Sequence, residues 1–313
     1  MIELKRKCSC ILAHSVKVET MDDIKIIALD LDGTLLDSEK RLSEVNRAAL
    51  AAAAEKGVLI VPTTGRFFGM MPPAVRDLPF VRYAITINGA QVYDRETDTA
   101  IVKDEIPLDM ALGVMELLDR YDVVYDCYRQ NWGWMTAALQ DKAADYATNE
   151  HYLKMVREFR KPVPELKAHL RETAADGDVQ KIMLFSRLRV SGSKFQVSSV
   201  LGNVKGEIEA KFPEIKVTAS TWNNLELNIK SAHKGNALKR FAEHLGYTLE
   251  NCMAFGDGMN DFTMVEAAGL GVAMANAEPE VKRVAKWIAP SNDADGVAVG
   301  LEKWALCQQE DIG

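Results

Sequence analysis

Four clusters of polar residues carry the chemistry this chain could do. Asp30 and Asp32 stand one residue apart, with Gly33 and Thr34 after them, at the end of the apolar run in IKIIALDLDGTLLD, residues 24–37. Thr63-Thr64-Gly65-Arg66, Asn88-Gly89-Ala90 and Gly256-Asp257-Gly258-Met259-Asn260-Asp261 follow other apolar runs. Gathered in one place, the carboxylates of Asp30, Asp32, Asp257 and Asp261 repel one another unless a cation neutralises them. Hard oxygen ligands with room for water suit Mg²⁺. The Thr64 hydroxyl and the Lys234 ammonium are natural phosphate contacts. A carboxylate can attack phosphorus to give an aspartyl-phosphate. A second can protonate the leaving oxygen and then activate water.

Taken singly, each cluster has a plainer reading. DLDGT could be a calcium loop, although the EF-hand pattern wants glycine where Leu35 stands, and its final glutamate is missing. Paired aspartates are common in turns, GDGMND could be a turn capping a helix, and Lys234 could be a solvated surface lysine. Their order, and their placement at element boundaries, favours a single site over four coincidences.

The elements that must hold these residues are legible in outline. Residues 24–29 predict a strand buried on both faces, being almost wholly apolar and rich in β-branched residues. A helix is expected over 42–56, with Ser43 as N-cap and Gly57 as the stop. Strands follow over 58–61 and 83–87, with a short helix started by Pro72-Pro73 between them. The rhythm returns as a helix over 234–245, a strand over 252–255, a helix over 262–268, a strand over 271–274, a helix over 278–285, residues 287–289 and a last helix over 297–306. Alternating strands and helices imply a parallel sheet, whose ligands bind at the carboxyl ends of its strands. The loops 30–34, 63–66, 88–90 and 256–261 should therefore converge. Between about 91 and 224 the texture changes, with many tyrosines and tryptophans, and a separate α/β module is expected.

Size and composition agree. A chain of 313 residues is more than one core usually holds. The 38 basic and 45 acidic residues leave a net charge of −7, which argues against nucleic acid or an anionic membrane as main partner. No apolar run approaches the ~20 residues of a membrane span. Cys8, Cys10, Cys127, Cys252 and Cys307 are scattered and odd in number, so no disulfide framework is expected and a reducing, cytoplasmic compartment fits. Residues 1–21 read as an extension outside the fold, with a core over 22–90 and 225–313 and a cap over 91–224.

The ordered set DLDGT, TTGR, HKGNAL and GDGMND resembles the haloacid dehalogenase-like (HAD) phosphohydrolases, nearest to the Cof-type subgroup with a type IIB cap, over residues 22–306. The resemblance implies an α/β fold: a Rossmann-like parallel-sheet core with an inserted α/β C2B cap. It implies Mg²⁺-dependent hydrolysis of small phosphate esters. Asp30 would be nucleophile and Mg²⁺ ligand, and Asp32 the general acid/base, with its backbone carbonyl on the metal. Thr64 and Lys234 would orient the phosphoryl group, Asp257 would bind the metal, and Asp261 would act on it directly or through water. Gly65, Arg66, Asn88 and Asn260 would line the substrate. Ala275 departs from the family's usual glycine, a small change. The spacing suits this subgroup: Asp30 to Thr64 is 34 residues, one strand–helix–strand unit, whereas Thr64 to Lys234 is 170 and leaves room for a cap.

Substrate choice should then lie in the cap. Asp126, Tyr128, Arg129, Trp132 and Trp134 could stack on a ring of the substrate or could be packing residues. Arg66 could bind substrate or pair with a carboxylate. A phosphomutase or phosphotransferase built on the same aspartate is the alternative function, and a ligand-binding protein without catalysis would be expected to have lost Asp30 or Asp257. The expected partner is a small phosphate ester. The sequence does not specify an oligomeric state and is compatible with a monomer.

Overall fold

The computed structural model describes residues 24–146, 150–187, 189–191, 194–196 and 199–306. The expected extension at 1–21, with Cys8, Cys10 and Cys307, lies outside the described residues.

The first five strands are β1 (Ile26–Asp30), β2 (Leu59–Thr63), β3 (Tyr83–Thr86), β4 (Gln91–Asp94) and β5 (Thr99–Lys103). Then come β6 (Val123–Arg129), β7 (Trp132–Thr136), β8 (Arg160–Val163), β9 (Lys181–Ser186), β10 (Arg189–Ser191), β11 (Lys194–Gln196), β12 (Ile215–Thr218) and β13 (Asn224–Ile229). The last three are β14 (Cys252–Gly256), β15 (Leu270–Met274) and β16 (Trp287–Ala289).

An eight-stranded sheet runs β16-β15-β14-β1-β2-β3-β4-β5. From β16 to β3 the strands are parallel, and β4 and β5 continue antiparallel. Every residue of β1 is buried. Ile27 and Leu29 enter one apolar cluster, while Ile26 and Ala28 enter the cluster on the opposite face. That alternation with period two is why a continuous apolar run was needed here. The helix Glu44–Glu55 covers one face with Ala49, Leu50 and Ala53, and the Ser43 hydroxyl caps it by accepting the Asn46 N–H at 3.0 Å.

A six-stranded, mainly antiparallel sheet runs β12-β13-β9-β6-β7-β8. One of its faces buries Tyr125, Cys127, Ile182, Leu184, Leu225 and Leu227 against helices that include Leu108–Leu118 and Ser199–Lys211. The sheets do not divide at the expected residues 90 and 225. The turn at Asn88-Gly89, with φ of +58° and +97°, returns the chain antiparallel to β3, so residues 91–103 stay with the first sheet. At the other boundary, β13 pairs with β9 and β12, so residues 224–229 belong to the second sheet. Two connections join the sheets, and Asp104 ties them together. Its carboxylate accepts from Ser231 Oγ at 2.7 Å, Asn236 Nδ2 at 2.8 Å and Arg240 Nη1 at 3.0 Å.

Candidate active site

Asp30 is the last residue of β1, Thr64 follows the end of β2, and the 256–261 loop leaves β14. These three strands are neighbours and parallel, so their carboxyl ends meet at one place. Lys234 arrives from another direction, as the first residue of the helix Lys234–His244. His233 caps that helix, its Nδ1 accepting the Asn236 N–H at 3.1 Å. The Lys234 side chain is wholly buried, and its Nζ lies 2.5 Å from Asp30 Oδ1 and 2.5 Å from Asp261 Oδ1. The second Asp261 oxygen accepts the N–H groups of Asp257 and Gly258, each at 3.0 Å, and so shapes the loop. Asp257 Oδ1 accepts the Thr34 hydroxyl at 2.9 Å. Gly33, at φ +93°, passes so close that a Cβ there would lie 2.5 Å from Asp257 Oδ2.

Asp30, Asp257 and Asp261 each present an oxygen within 4.8 Å of the others. Against these three carboxylates stands the Lys234 ammonium. The electrostatics show the imbalance. Burial, reinforced by the Asp261 charge, raises Asp30 to about 7 despite Lys234. Burial also raises Asp257, partly offset by the Thr34 hydrogen bond. Lys234 is raised instead: burial alone would lower it, but the charges of Asp261 and Asp30 outweigh that. An oxygen-only donor set, buried at Asp30 and Asp261 and half-buried at Asp257, that is short of positive charge fits a divalent cation.

Asp32 stands apart from this group. Its carboxylate meets Arg66 Nη2 at 2.7 Å and Lys40 Nζ at 2.9 Å. Burial would raise it, but these two cations hold it below the usual carboxylate range. Arg66 thus pairs with a carboxylate, one of its two readings, and it lines the central cavity as well. Lys40 was not anticipated. It sits at a turn with φ +63°, and no pattern in the sequence links it to Asp32.

Asp30, Asp32, Thr64, Gly65, Arg66, Asn88, Asp257 and Asn260 all line one cavity of about 1000 Å³ between the two sheets. Of the five cap residues singled out, Tyr128 alone reaches that lining. Asp126 pairs with Arg160 at 3.0 Å, and Arg129 donates to Thr173 Oγ1 at 2.8 Å. Trp132 packs on Phe67 with centroids 5.6 Å apart, and Trp134 on His169 at 4.6 Å. Packing is therefore the right reading for those four.

The sequence profile of haloacid dehalogenase-like hydrolases matches residues 27–301. The chain belongs to the haloacid dehalogenase-like hydrolase family. It is 31% identical over 284 residues to the 5-amino-6-(5-phospho-D-ribitylamino)uracil phosphatase YcsE of Bacillus subtilis, covering 91% of this chain and 97% of that one. It is 28% identical over 275 residues to the pyridoxal phosphate phosphatase YbhA of Escherichia coli, covering 88% and 96%. A HAD-like hydrolase structure from Bacteroides thetaiotaomicron superposes with TM-score 0.73 at 27% identity, covering 90% of this chain and 99% of that one. A subclass IIB sugar phosphatase superposes with TM-score 0.67 at 21% identity, covering 90% and 100%, and speaks for the fold. Within this HAD family the chain is an enzyme of the phosphatase kind. Among the described residues no helix is long and apolar enough to cross a membrane.

Proposed function

We propose that this HAD phosphatase hydrolyses small phosphorylated metabolites through an aspartyl-phosphate on Asp30, with Mg²⁺ as cofactor. The observation that carries this is the buried Asp30–Lys234–Asp261 bridge with Asp257 beside it, Asp30 and Asp257 lining the cavity. Asp30, Asp257, Asp261 and the backbone carbonyl of Asp32 would hold the metal. When bound, the cation neutralises the carboxylates and the phosphate oxygens.

An Asp30 oxygen attacks phosphorus, and the bond from phosphorus to the ester oxygen breaks. Asp32 gives its proton to that oxygen, releasing an alcohol. In the second half Asp32 takes a proton from the attacking water. The bond from phosphorus to Asp30 breaks, phosphate leaves, and Asp32 again carries its proton. Lys234 and Thr64 orient the phosphoryl oxygens throughout. In the free chain Arg66 and Lys40 keep Asp32 ionised, as the base of the second half. A phosphate group that draws Arg66 to itself frees Asp32 to carry the proton of the first half. Gly65, Asn88 and Asn260 line the same cavity and would contact the substrate there. The relatives named for a phosphorylated ribitylaminouracil and for pyridoxal phosphate support small phosphorylated metabolites as the substrate class.

The test is phosphate release from a panel of phosphorylated metabolites, with Mg²⁺ or with EDTA. Wild type should release phosphate only with the metal, and Asp30→Asn should be at least about 10³-fold slower. Release by Asp30→Asn at the wild-type rate would remove the covalent mechanism. Transfer to a second sugar with little free phosphate would favour a mutase instead.

A further inference from the structure

The phosphate chemistry leaves one face of the six-stranded sheet unexplained. Its far face is apolar and packed on helices. Its near face looks across the cavity toward the carboxylates and carries charge. Strand register sets Tyr128 beside Lys181, and lays Asp126, Met183 and Glu226 in one row. Two buried ion pairs lie on this face. Asp126–Arg160 is sealed off from the cavity, with Arg160 donating to the Tyr128 hydroxyl at 2.9 Å. Lys181–Glu226 is not sealed: both residues line the cavity, although their side chains are only 3% and 11% exposed.

A buried ion pair is a poor way to stabilise a sheet, because desolvating two charges offsets their attraction. Apolar side chains would serve packing better, as they do on the opposite face. Both charges persist here nonetheless. Burial alone would push the Glu226 carboxyl up, yet Lys181 holds it below its usual range. Glu226 also meets the other sheet, accepting from Asn88 Nδ2 at 3.4 Å. Around the pair the lining mixes thioether and aromatic groups, Met183 and Phe185 from the sheet and Met155 and Phe159 from the helix Glu150–Phe159, with polar side chains such as Thr218, Ser220 and Asn228. The thioether and aromatic part suits the faces of a flat unsaturated body, and the polar part its ring substituents.

We propose that Lys181 and Glu226 are the specificity-determining pair, reading the leaving group of the ester. The Lys181 ammonium donates to a carbonyl-type oxygen on a planar ring, and Glu226 accepts from an adjacent ring N–H or O–H. The ring rests against the apolar part of the lining formed by Met183, Phe185, Met155 and Phe159. A site built this way rejects leaving groups that leave the two charges unmatched. The inference rests on the phosphatase reading above.

The experiment uses the full chain with Mg²⁺ and three probes: uridine 5′-monophosphate, glucose 6-phosphate and p-nitrophenyl phosphate. They carry a ring with the polar edge, a polyol, and a ring whose only ring substituent besides the ester is a nitro group. The readout is the ratio of kcat/KM for the uridine ester to that for p-nitrophenyl phosphate. Lys181→Met and Glu226→Gln should each lower this ratio about tenfold or more, and Lys181→Arg should restore part of it. Thermal denaturation identifies a variant that has merely unfolded, and Lys181→Arg then carries the comparison. Equal loss on all three probes in folded variants, or a wild-type preference for glucose 6-phosphate, would overturn the pair's role. Failure of wild type on every probe and on the whole metabolite panel would instead count against the proposed hydrolysis itself.

Discussion

At the scale of single residues, the site is a problem of charge. Lys234 is the cation that lets Asp30 and Asp261 be buried together, and removing one member of such a group leaves the others uncompensated. One ammonium does not balance three acids, and Asp30 shows it, with its carboxyl at about 7 in the folded chain against an ordinary 3.8. The folded state therefore holds that proton more firmly than the unfolded chain. This contribution favours folding below about pH 4 and is lost as pH rises through about 7. The metal-free protein should lose melting temperature over that interval relative to Asp30→Asn, which has no such proton. Added Mg²⁺ should raise the melting temperature more near pH 7.5 than near pH 5, read by thermal denaturation with and without EDTA. A Mg²⁺ effect independent of pH would separate Asp30 from the metal. Asp32 runs the other way. Its lowered carboxyl adds stability above the ordinary carboxylate range, and that is lost as pH falls through its folded value.

At the scale of elements, what matters is how rigidly Lys234 is delivered. Its helix crosses the helix Phe262–Ala267 at Gly235, where a Cβ would lie 2.4 Å from the Thr263 carbonyl oxygen. Gly235→Ala gains helix propensity of up to ~1 kcal/mol but incurs an overpacking cost of about 1–3 kcal/mol. The expected result is a lower melting temperature and a kcat that falls more than KM rises, because Lys234 is pushed off Asp30. An alanine variant as stable and active as wild type would mean the two helices part freely. The elements also show what a sequence can and cannot say. The parallel strands around Asp30 were legible because burial on both faces demands unbroken apolar runs. The helix over 44–55 was legible through Ser43 and Gly57. β4 and β5 were harder to place, since a turn at Asn88-Gly89 marks a reversal but not which sheet the chain rejoins. In β13, Leu225 and Leu227 alternate with Glu226 and Asn228, a two-faced strand that reads the same in either sheet. The partnership of Lys181 with Glu226 has no local signal, because it arises from two antiparallel strands laid side by side. The grip of Lys40 on Asp32 was hidden for the same kind of reason, being made by a turn rather than by a pattern.

At the scale of the whole molecule, the cavity between the two sheets is where the proposed phosphate chemistry and substrate selection would meet, and Asp104 ties the two connections that join them. The sheets differ in how far apart their strands lie along the chain. The six-stranded sheet is drawn from residues 123–229 alone, whereas β1 pairs with β14 through Ile26 and Cys252. Contacts between distant residues form late because the loop must close first. In refolding followed by pulsed hydrogen exchange, amides of β6, β9 and β13 should gain protection before those of β1. Earlier protection of β1 would contradict this order. During synthesis the difference becomes a wait. At ~5–20 residues per second, the roughly 190 residues between the end of β2 and the start of β14 take about 10–40 s to appear. Through that interval one edge of β1, apolar from Ile26 to Leu29, has no neighbour. The strand that ends at Asp30 is thus left open to mispairing in the nascent chain, and it is in this interval that a chaperone would protect it.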